Sequence, residues 1–237
     1  MMAETMSYEE FLSKVYSSTS TDQTQELYDQ WASNYDRDLT EEGYASPSVA
    51  VQAVVKHLDR TKLTLTRLNG KLEVLDAGCG TGLVGVHLRA TGVDTLDLRI
   101  DGVDLSEGML AIAARTSAYT KLKIADLSKP LPYEEESYDV ITCVGTLTKG
   151  HVKANVLKEF IRIVKRGWGL VAVTILDEIW ETGGYKAVVM NEERFGRVEI
   201  MSDELFNVWK EDKQSGRMIV LRRKYRAQEI AHAGIGA

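Results

Sequence analysis

The stretch Val74-Leu75-Asp76-Ala77-Gly78-Cys79-Gly80-Thr81-Gly82 decides how the rest of the chain is read. Leu72 to Leu75 is a short β run, and glycines crowd its exit. A helical pattern follows through Leu83, Val84, His87 and Leu88 and stops at Gly92, placed as its C′ residue. Glycines after a strand allow a tight turn and let the backbone approach a ligand with no Cβ in the way. Downstream, strands and helices alternate. Leu96 to Val103 predicts a second strand ending at Asp104, and Ser106 caps a helix carrying Met109, Leu110, Ile112 and Ala113. Leu122 to Ile124, Tyr138 to Val144 and Leu170 to Leu176 predict three more strands, with a helix over Val152 to Val164. That alternation means βαβ units and a parallel sheet covered on both faces. Phe206 to Glu211 and Arg217 to Tyr225, separated by Asp212-Lys213-Gln214-Ser215-Gly216, predict an antiparallel hairpin at the sheet edge.

Upstream of the loop the chain is more polar. Tyr28, Trp31 and Tyr35, spaced by three and four, fall on one face of a helix, a stripe suited to packing on the main domain. Ser46-Pro47 predicts a helix start with the serine as N-cap, followed by apolar Val49, Ala50, Ala53 and Val54. Thr61 to Gly70 reads as a polar linker. The expected organisation is a helical N-terminal cover over 1–60 and an α/β domain over 61–237, forming one structural unit.

Composition narrows the partners. Of 237 residues, 29 are Lys or Arg and 35 Asp or Glu, a formal charge of -6. Nucleic acid is not expected, because phosphate binding needs clustered cations; Arg222-Arg223-Lys224-Tyr225-Arg226 reads as the solvated face of a strand. The longest mostly apolar stretch, Gly169 to Leu176, is far short of a bilayer span, and the acidic N-terminus lacks a secretory h-region. Cys79 and Cys143 have no CxxC partner and the four histidines are scattered, so the expectation is a reduced, cytoplasmic, metal-free protein.

The glycine loop also contains a GxGxxG reading, Gly80-Thr81-Gly82-Leu83-Val84-Gly85, so a dinucleotide must be weighed. Charge separates the candidates. A pyrophosphate at this helix N-terminus would sit near Asp76, and like charges ~4 Å apart repel by about 4 kcal/mol at an effective dielectric near 20. S-adenosylmethionine carries no phosphate but an ammonium and a sulfonium, which a carboxylate at the strand tip favours. Asp104 can accept both ribose hydroxyls, a feature common to either cofactor. Asp126 follows the third strand at the same edge, where an acidic acceptor suits an adenine amino group.

With these residues in place, the sequence resembles the class I S-adenosylmethionine-dependent methyltransferases. The residues that carry the likeness are Val74–Gly82, Gly102-Val103-Asp104-Leu105-Ser106, Ala125-Asp126-Leu127 and Tyr138-Asp139-Val140-Ile141. The resemblance implies a Rossmann-like, seven-stranded, mostly parallel sheet with an antiparallel C-terminal hairpin. It also implies a cofactor site built from Asp76, Ala77, Gly78, Cys79, Gly80, Gly82, Asp104, Leu105, Met109, Asp126, Leu127 and Val144. Tyr28 and Tyr35 are expected to join it by closing over the sulfonium through cation–π contact. Leu27–Asp36, Gly102–Leu110 and Gly145–Val152 carry a likeness to a narrower branch of the family.

Methyl transfer is an in-line displacement that needs chiefly positioning, and His151 is the candidate base where the acceptor arrives protonated. Cys143-Val144-Gly145-Thr146-Leu147 stands where methyltransferases of planar amino groups in adenine or glutamine have Asn/Asp-Pro-Pro-Tyr, so those substrates are disfavoured; a small-molecule acceptor is expected first and a protein side chain second. An NAD-linked oxidoreductase and a non-catalytic cofactor-binding protein are the competing readings.

Overall fold

The computed structural model describes residues 8–58, 71–91, 97–150, 152–211 and 214–226. The helices are α1 (Tyr8–Ser17), α2 (Thr21–Glu41), α3 (Ser46–His57), α4 (Leu83–Ala90), α5 (Glu107–Arg115), α6 (Val156–Ile163), α7 (Asp177–Trp180) and α8 (Tyr185–Arg194). The strands are β1 (Lys71–Ala77), β2 (Asp97–Asp104), β3 (Lys121–Ile124), β4 (Val140–Leu147), β5 (Leu170–Leu176), β6 (Val198–Asn207) and β7 (Ser215–Arg223). They form a seven-stranded sheet in the order β3-β2-β1-β4-β5-β7-β6. β1 to β5 run parallel, while β7 lies antiparallel between β5 and β6. This is the Rossmann-like α/β sheet with its antiparallel end, as the resemblance implied.

Burial explains the alternation. All seven residues of β5 are buried, the signature of a central strand covered on both faces. One face packs Leu75, Ile141, Val173 and Ile219 against Leu157 and Phe160 of α6 and Tyr185 and Val189 of α8. The other packs Val74, Val140 and Ala172 against Ala50, Val51 and Val54 of α3 and Val84 and Leu88 of α4. α3 therefore belongs to the sheet's own layers, and the cover proper is α1 with α2. Trp31, 1% exposed, joins these two helices: it stacks on Phe11 at 5.3 Å and donates from Nε1 to Asp38 at 2.9 Å.

Several boundaries differ from expectation, each for a local reason. The N-cap of α3 is Ala45 without a side-chain bond, not Ser46, which is the first helical residue and buried; Pro47 occupies the first turn as expected. β4 starts at Val140, Tyr138 making only an isolated bridge to Val164. It runs on to Leu147 through a register shift between Cys143 and Leu147. α6 starts at Val156 rather than Val152. β6 spans Val198–Asn207, not Phe206 to Glu211. It is an edge strand whose alternation is broken by a register shift between Ile200 and Ser202 and whose outer positions are acidic. The basic cluster is not a solvated face either: Arg223 is buried and donates to the carbonyls of Arg162 and Val164 and to Glu135, while Arg222 donates to the His57 carbonyl. The linker Thr61 to Gly70 and the capping Gly92 lie outside the described residues.

Candidate functional site

β1 pairs with β2 on one side and β4 on the other, so the sheet changes winding direction at its carboxyl end. Open α/β sheets bind ligands outside such a switch point. A cavity of about 870 Å³ opens there, lined by the βα loops and roofed by α1 and α2.

Ten of the expected residues line it: Gly78, Gly80, Asp104, Leu105, Met109, Asp126, Leu127, Val144, Tyr28 and Tyr35. Gly80 adopts φ +53°, and a Cβ built on it meets nothing within 4 Å, so its face is open to the cavity. Gly78, at φ +74°, lies so close to Thr146 that a Cβ would fall 2.2 Å from its Oγ1. Only glycine fits that approach, which lets β4's bulged end share the cavity wall. Asp104 knits the two loops together: its Oδ2 accepts from Gly80 N–H at 2.8 Å and its Oδ1 from Ser106 N–H at 2.9 Å. Burial pushes the Asp104 carboxyl up, against the amides of Ser106, Gly80 and Leu105 that pull it down. Asp126 forms a turn with Ser128, whose N–H and hydroxyl reach its Oδ1 at 2.9 and 2.6 Å, and Lys129 lies 3.1 Å from Oδ2. Burial pushes this carboxyl up, but the Ser128 and Lys129 contacts outweigh it, and Asp126 lies below the usual carboxylate range.

Four expected residues do not line the cavity. Asp76 is fully buried behind the loop, where its Oδ2 accepts from the Tyr119 hydroxyl at 2.7 Å and its Oδ1 from Thr142 at 2.8 Å. Desolvation raises its pKa to about 6 in spite of those two donors. Asp76 lies behind the cavity wall and does not line it. Ala77 and Cys79 are buried in the same turn, and Gly82 faces Tyr119, whose ring a Cβ would meet at 2.9 Å. Trp31 turns from the cavity into the α1–α2 seam. His151 lies outside the described residues.

Sequence reasoning missed Tyr119, which supports the loop by donating to Asp76 and accepting from Gly85 N–H at 3.2 Å. Tyr119→Phe leaves a buried carboxylate short of one donor, so an expected loss of roughly 1.5–2.5 kcal/mol follows from charged hydrogen-bond energetics. Urea unfolding checks it, and an unchanged midpoint would remove this bond from the support of the loop. Also missed were Thr21 and Thr24 of α2, and Gly145, Thr146 and Thr148 at the end of β4, which all line the cavity.

α2 is pinned over the cavity by two carboxylates on one face, about two turns apart. Asp36 accepts from the Thr81 hydroxyl, and Asp29 from the Ser106 hydroxyl and Gly108 N–H, the last at 2.8 Å. Ser106 meanwhile caps α5 by accepting from Met109 N–H at 3.0 Å, as expected. Among the described lining residues the only charged side chains are Asp104 and Asp126. The cavity therefore offers acceptors for hydroxyl and amino groups and an electronegative environment, with no Lys or Arg for a phosphate.

Comparison with known proteins agrees with this geometry. Residues 74–167 match the methyltransferase domain family. The chain is 36% identical over 149 residues to methyltransferase-like protein 27 of Homo sapiens, covering 62% of this chain and 56% of that protein. It is 32% identical over 124 residues to a demethylmenaquinone methyltransferase of Oceanobacillus iheyensis, covering 50% of this chain and 51% of that one. The chain spans about half the length of these curated relatives. Among solved structures, the cyclase SpnF superposes with a TM-score of 0.63 at 16% identity, covering 88% of this chain and 98% of that chain. That likeness concerns the fold, which by itself does not set the chemistry. Among the described residues no helix is long and apolar enough to cross a membrane.

Proposed function

We propose that the chain is an S-adenosylmethionine-dependent methyltransferase acting on a small molecule, with the cavity at the β1–β4 switch point as its cofactor site. The observation that carries the reading is the charge of that cavity: two carboxylates and, among the described lining residues, no cation. The motif likeness goes further, to the Williams-Beuren syndrome chromosomal-region methyltransferase-like protein, and we take the chain to belong near it. The division into an N-terminal cover and a cofactor domain, and a place in the reducing cytoplasm, with Cys79 and Cys143 free and buried, belong to the same proposal.

The residues fit the cofactor by class of contact. Asp104 keeps acceptor capacity for a ribose hydroxyl beyond the amides of Gly80, Ser106 and Leu105 that it already serves. Asp126, with Leu127, offers an acceptor and an apolar face to adenine. Gly78 and Gly80 leave backbone exposed to the amino-acid portion, and Tyr28 and Tyr35 line the cavity from the cover as partners for the sulfonium. When bound, the cofactor supplies a methyl group activated by its sulfonium. The protein's part is to orient the two reactants, exclude water beneath α2 and favour positive charge; orientation alone can supply ~7–11 kcal/mol.

Asp76, ionising at about 6, gives the site a pH signature. Affinity for the cationic cofactor should fall as pH drops from 7 to 5, and Asp76→Asn should flatten that fall. Stability runs the other way: folding raises this carboxyl from 3.8 to about 6, so between those values the folded chain holds a proton that the unfolded chain has lost, and the contribution becomes steadily less favourable as pH rises from 3.8 to about 6 and levels off above it. Calorimetry between pH 5 and 7.5 checks the binding half; a pH-independent affinity would remove Asp76 from the electrostatics of the site.

The pins on α2 give a kinetic signature. Asp36→Ala or Asp29→Ala removes roughly 1–1.5 kcal/mol of closure, so cofactor release should quicken about tenfold in stopped-flow. Release at the wild-type rate in both variants would show that α2 does not gate the site.

Calorimetric titration with S-adenosylhomocysteine and with NADH, followed by label transfer from methyl-labelled cofactor to a metabolite pool, tests the function as a whole. Binding of the first alone and a labelled product are expected. NADH binding favours the oxidoreductase; cofactor binding without any labelled product favours a silent binding protein.

A further inference from the structure

Beside the cofactor cavity lies a second chamber of about 550 Å³, and Tyr28, Tyr35, Gly145 and Thr148 line both. Tyr16, Trp31, Tyr44, Phe206 and Trp209 are the further aromatic residues of its wall. Tyr44 and Trp209 form one side, their ring centroids 4.9 Å apart and their planes tilted by 36°. Among the described lining residues none is Asp, Glu, Lys, Arg or His; the polar side-chain groups are tyrosine, serine and threonine hydroxyls, the Gln214 amide and the indole N–H groups of Trp31 and Trp209, which donate to Asp38 and Gln214. Burial pushes the Tyr44 phenol up to about 12 and those of Tyr16 and Tyr28 upward as well, so these groups stay protonated at neutral pH.

We propose that this chamber is the acceptor site and that it takes an uncharged planar heteroaromatic compound whose ring nitrogen is the nucleophile, an assignment that rests on the cofactor reading above. An anionic acceptor would leave its carboxylate or phosphate without a cation, and a protonated amine would lack an anion, each a costly burial. An alcohol or phenol must lose a proton, and none of the described lining side chains is a carboxylate or imidazole to take one; Glu178, behind the Gln214 amide, is itself paired with Lys149 at 2.9 Å. A pyridine-type nitrogen brings an unprotonated lone pair and needs no base. Its lone pair forms the N–CH₃ bond while the S–CH₃ bond breaks with its electron pair returning to sulfur. The positive charge passes from sulfonium to ring nitrogen, no proton moves, and the product cation lies against aromatic faces that favour it.

Three bicyclic probes of one shape separate the possibilities: quinoline, 2-naphthol and 2-naphthoate. With the full chain saturated by S-adenosylhomocysteine, quenching of tryptophan fluorescence should show quinoline binding at least tenfold more tightly than 2-naphthoate. Trp209→Ala should weaken quinoline about tenfold while the S-adenosylhomocysteine affinity holds. With labelled cofactor, N-methylquinolinium should form and labelled 2-methoxynaphthalene should not. Equal or tighter binding of 2-naphthoate, or label on 2-naphthol in place of quinoline, would overturn the assignment. The same follows if S-adenosylhomocysteine binds but quinoline acquires no label, whereas failure of S-adenosylhomocysteine to bind at all strikes the cofactor reading itself.

Discussion

Gly80→Val is expected to fold and to lose S-adenosylmethionine binding by more than 100-fold. The two halves of that result have separate causes. Folding survives because a Cβ at this position meets no protein atom within 4 Å, leaving only the backbone cost of a β-branched residue at φ +53°. Left-handed backbone costs a non-glycine residue roughly 1–2 kcal/mol, which lowers the melting temperature of a chain this long by only several degrees. Binding fails because the space the new side chain enters is the cavity itself, where the backbone must lie against the ligand. Gly80→Ala separates the effects: it carries the left-handed backbone cost without β-branching and with less bulk, so its melting temperature should lie between those of wild type and the valine variant while its affinity falls less. A valine variant that binds within a few-fold of wild type would contradict the loop assignment.

Asp104→Ala should weaken cofactor binding by about 2–3 kcal/mol, or about 30- to 150-fold, the cost of losing hydrogen bonds to a charged acceptor. The effect has two parts in this structure. Direct bonds to the ribose go, and so does the bracing of Gly80 and Ser106, whose N–H groups lie 2.8 and 2.9 Å from the carboxylate. Asp104→Asn keeps the shape but turns one acceptor into a donor facing an amide, so it should recover little. Calorimetry with S-adenosylhomocysteine measures both variants, and unchanged affinity in the alanine variant would remove Asp104 from the site.

How far the sequence could be read depended on whether the causes were local. β5 was legible from Leu170 to Leu176 without error, because a strand buried on both faces reads as a near-continuous apolar run, here broken only by Thr174, whose hydroxyl accepts from Gly145 N–H. Ser106 was legible as an N-cap because its partner, Met109, is three residues away. β6 was not, since the shift at Ile200/Ser202 breaks its period and its edge position admits Glu199, Asp203 and Glu204. α7 and α8 were not anticipated: α7 is a single turn, and α8 begins at the left-handed Gly184 with no side-chain cap.

In the site, the three strand-end carboxylates were found by position, but their roles diverge in a way position does not encode. Asp104 and Asp126 line the cavity, whereas Asp76 is held behind it by Tyr119 and Thr142, 43 and 66 residues distant in sequence. The aromatic stripe of α2 was legible as a stripe. Tyr28 and Tyr35 were expected at the cofactor site and do line the cavity, whereas the packing of Trp31 on Phe11 depends on α1, which only the assembled cover reveals.

One crystal soaked with S-adenosylhomocysteine and NADH together tests the choice of ligand most directly. The account predicts an adenosyl thioether in the difference density, its ribose hydroxyls against Asp104 and its adenine beside Asp126. A dinucleotide whose diphosphate rests on the backbone between Ala77 and Gly82 would contradict it.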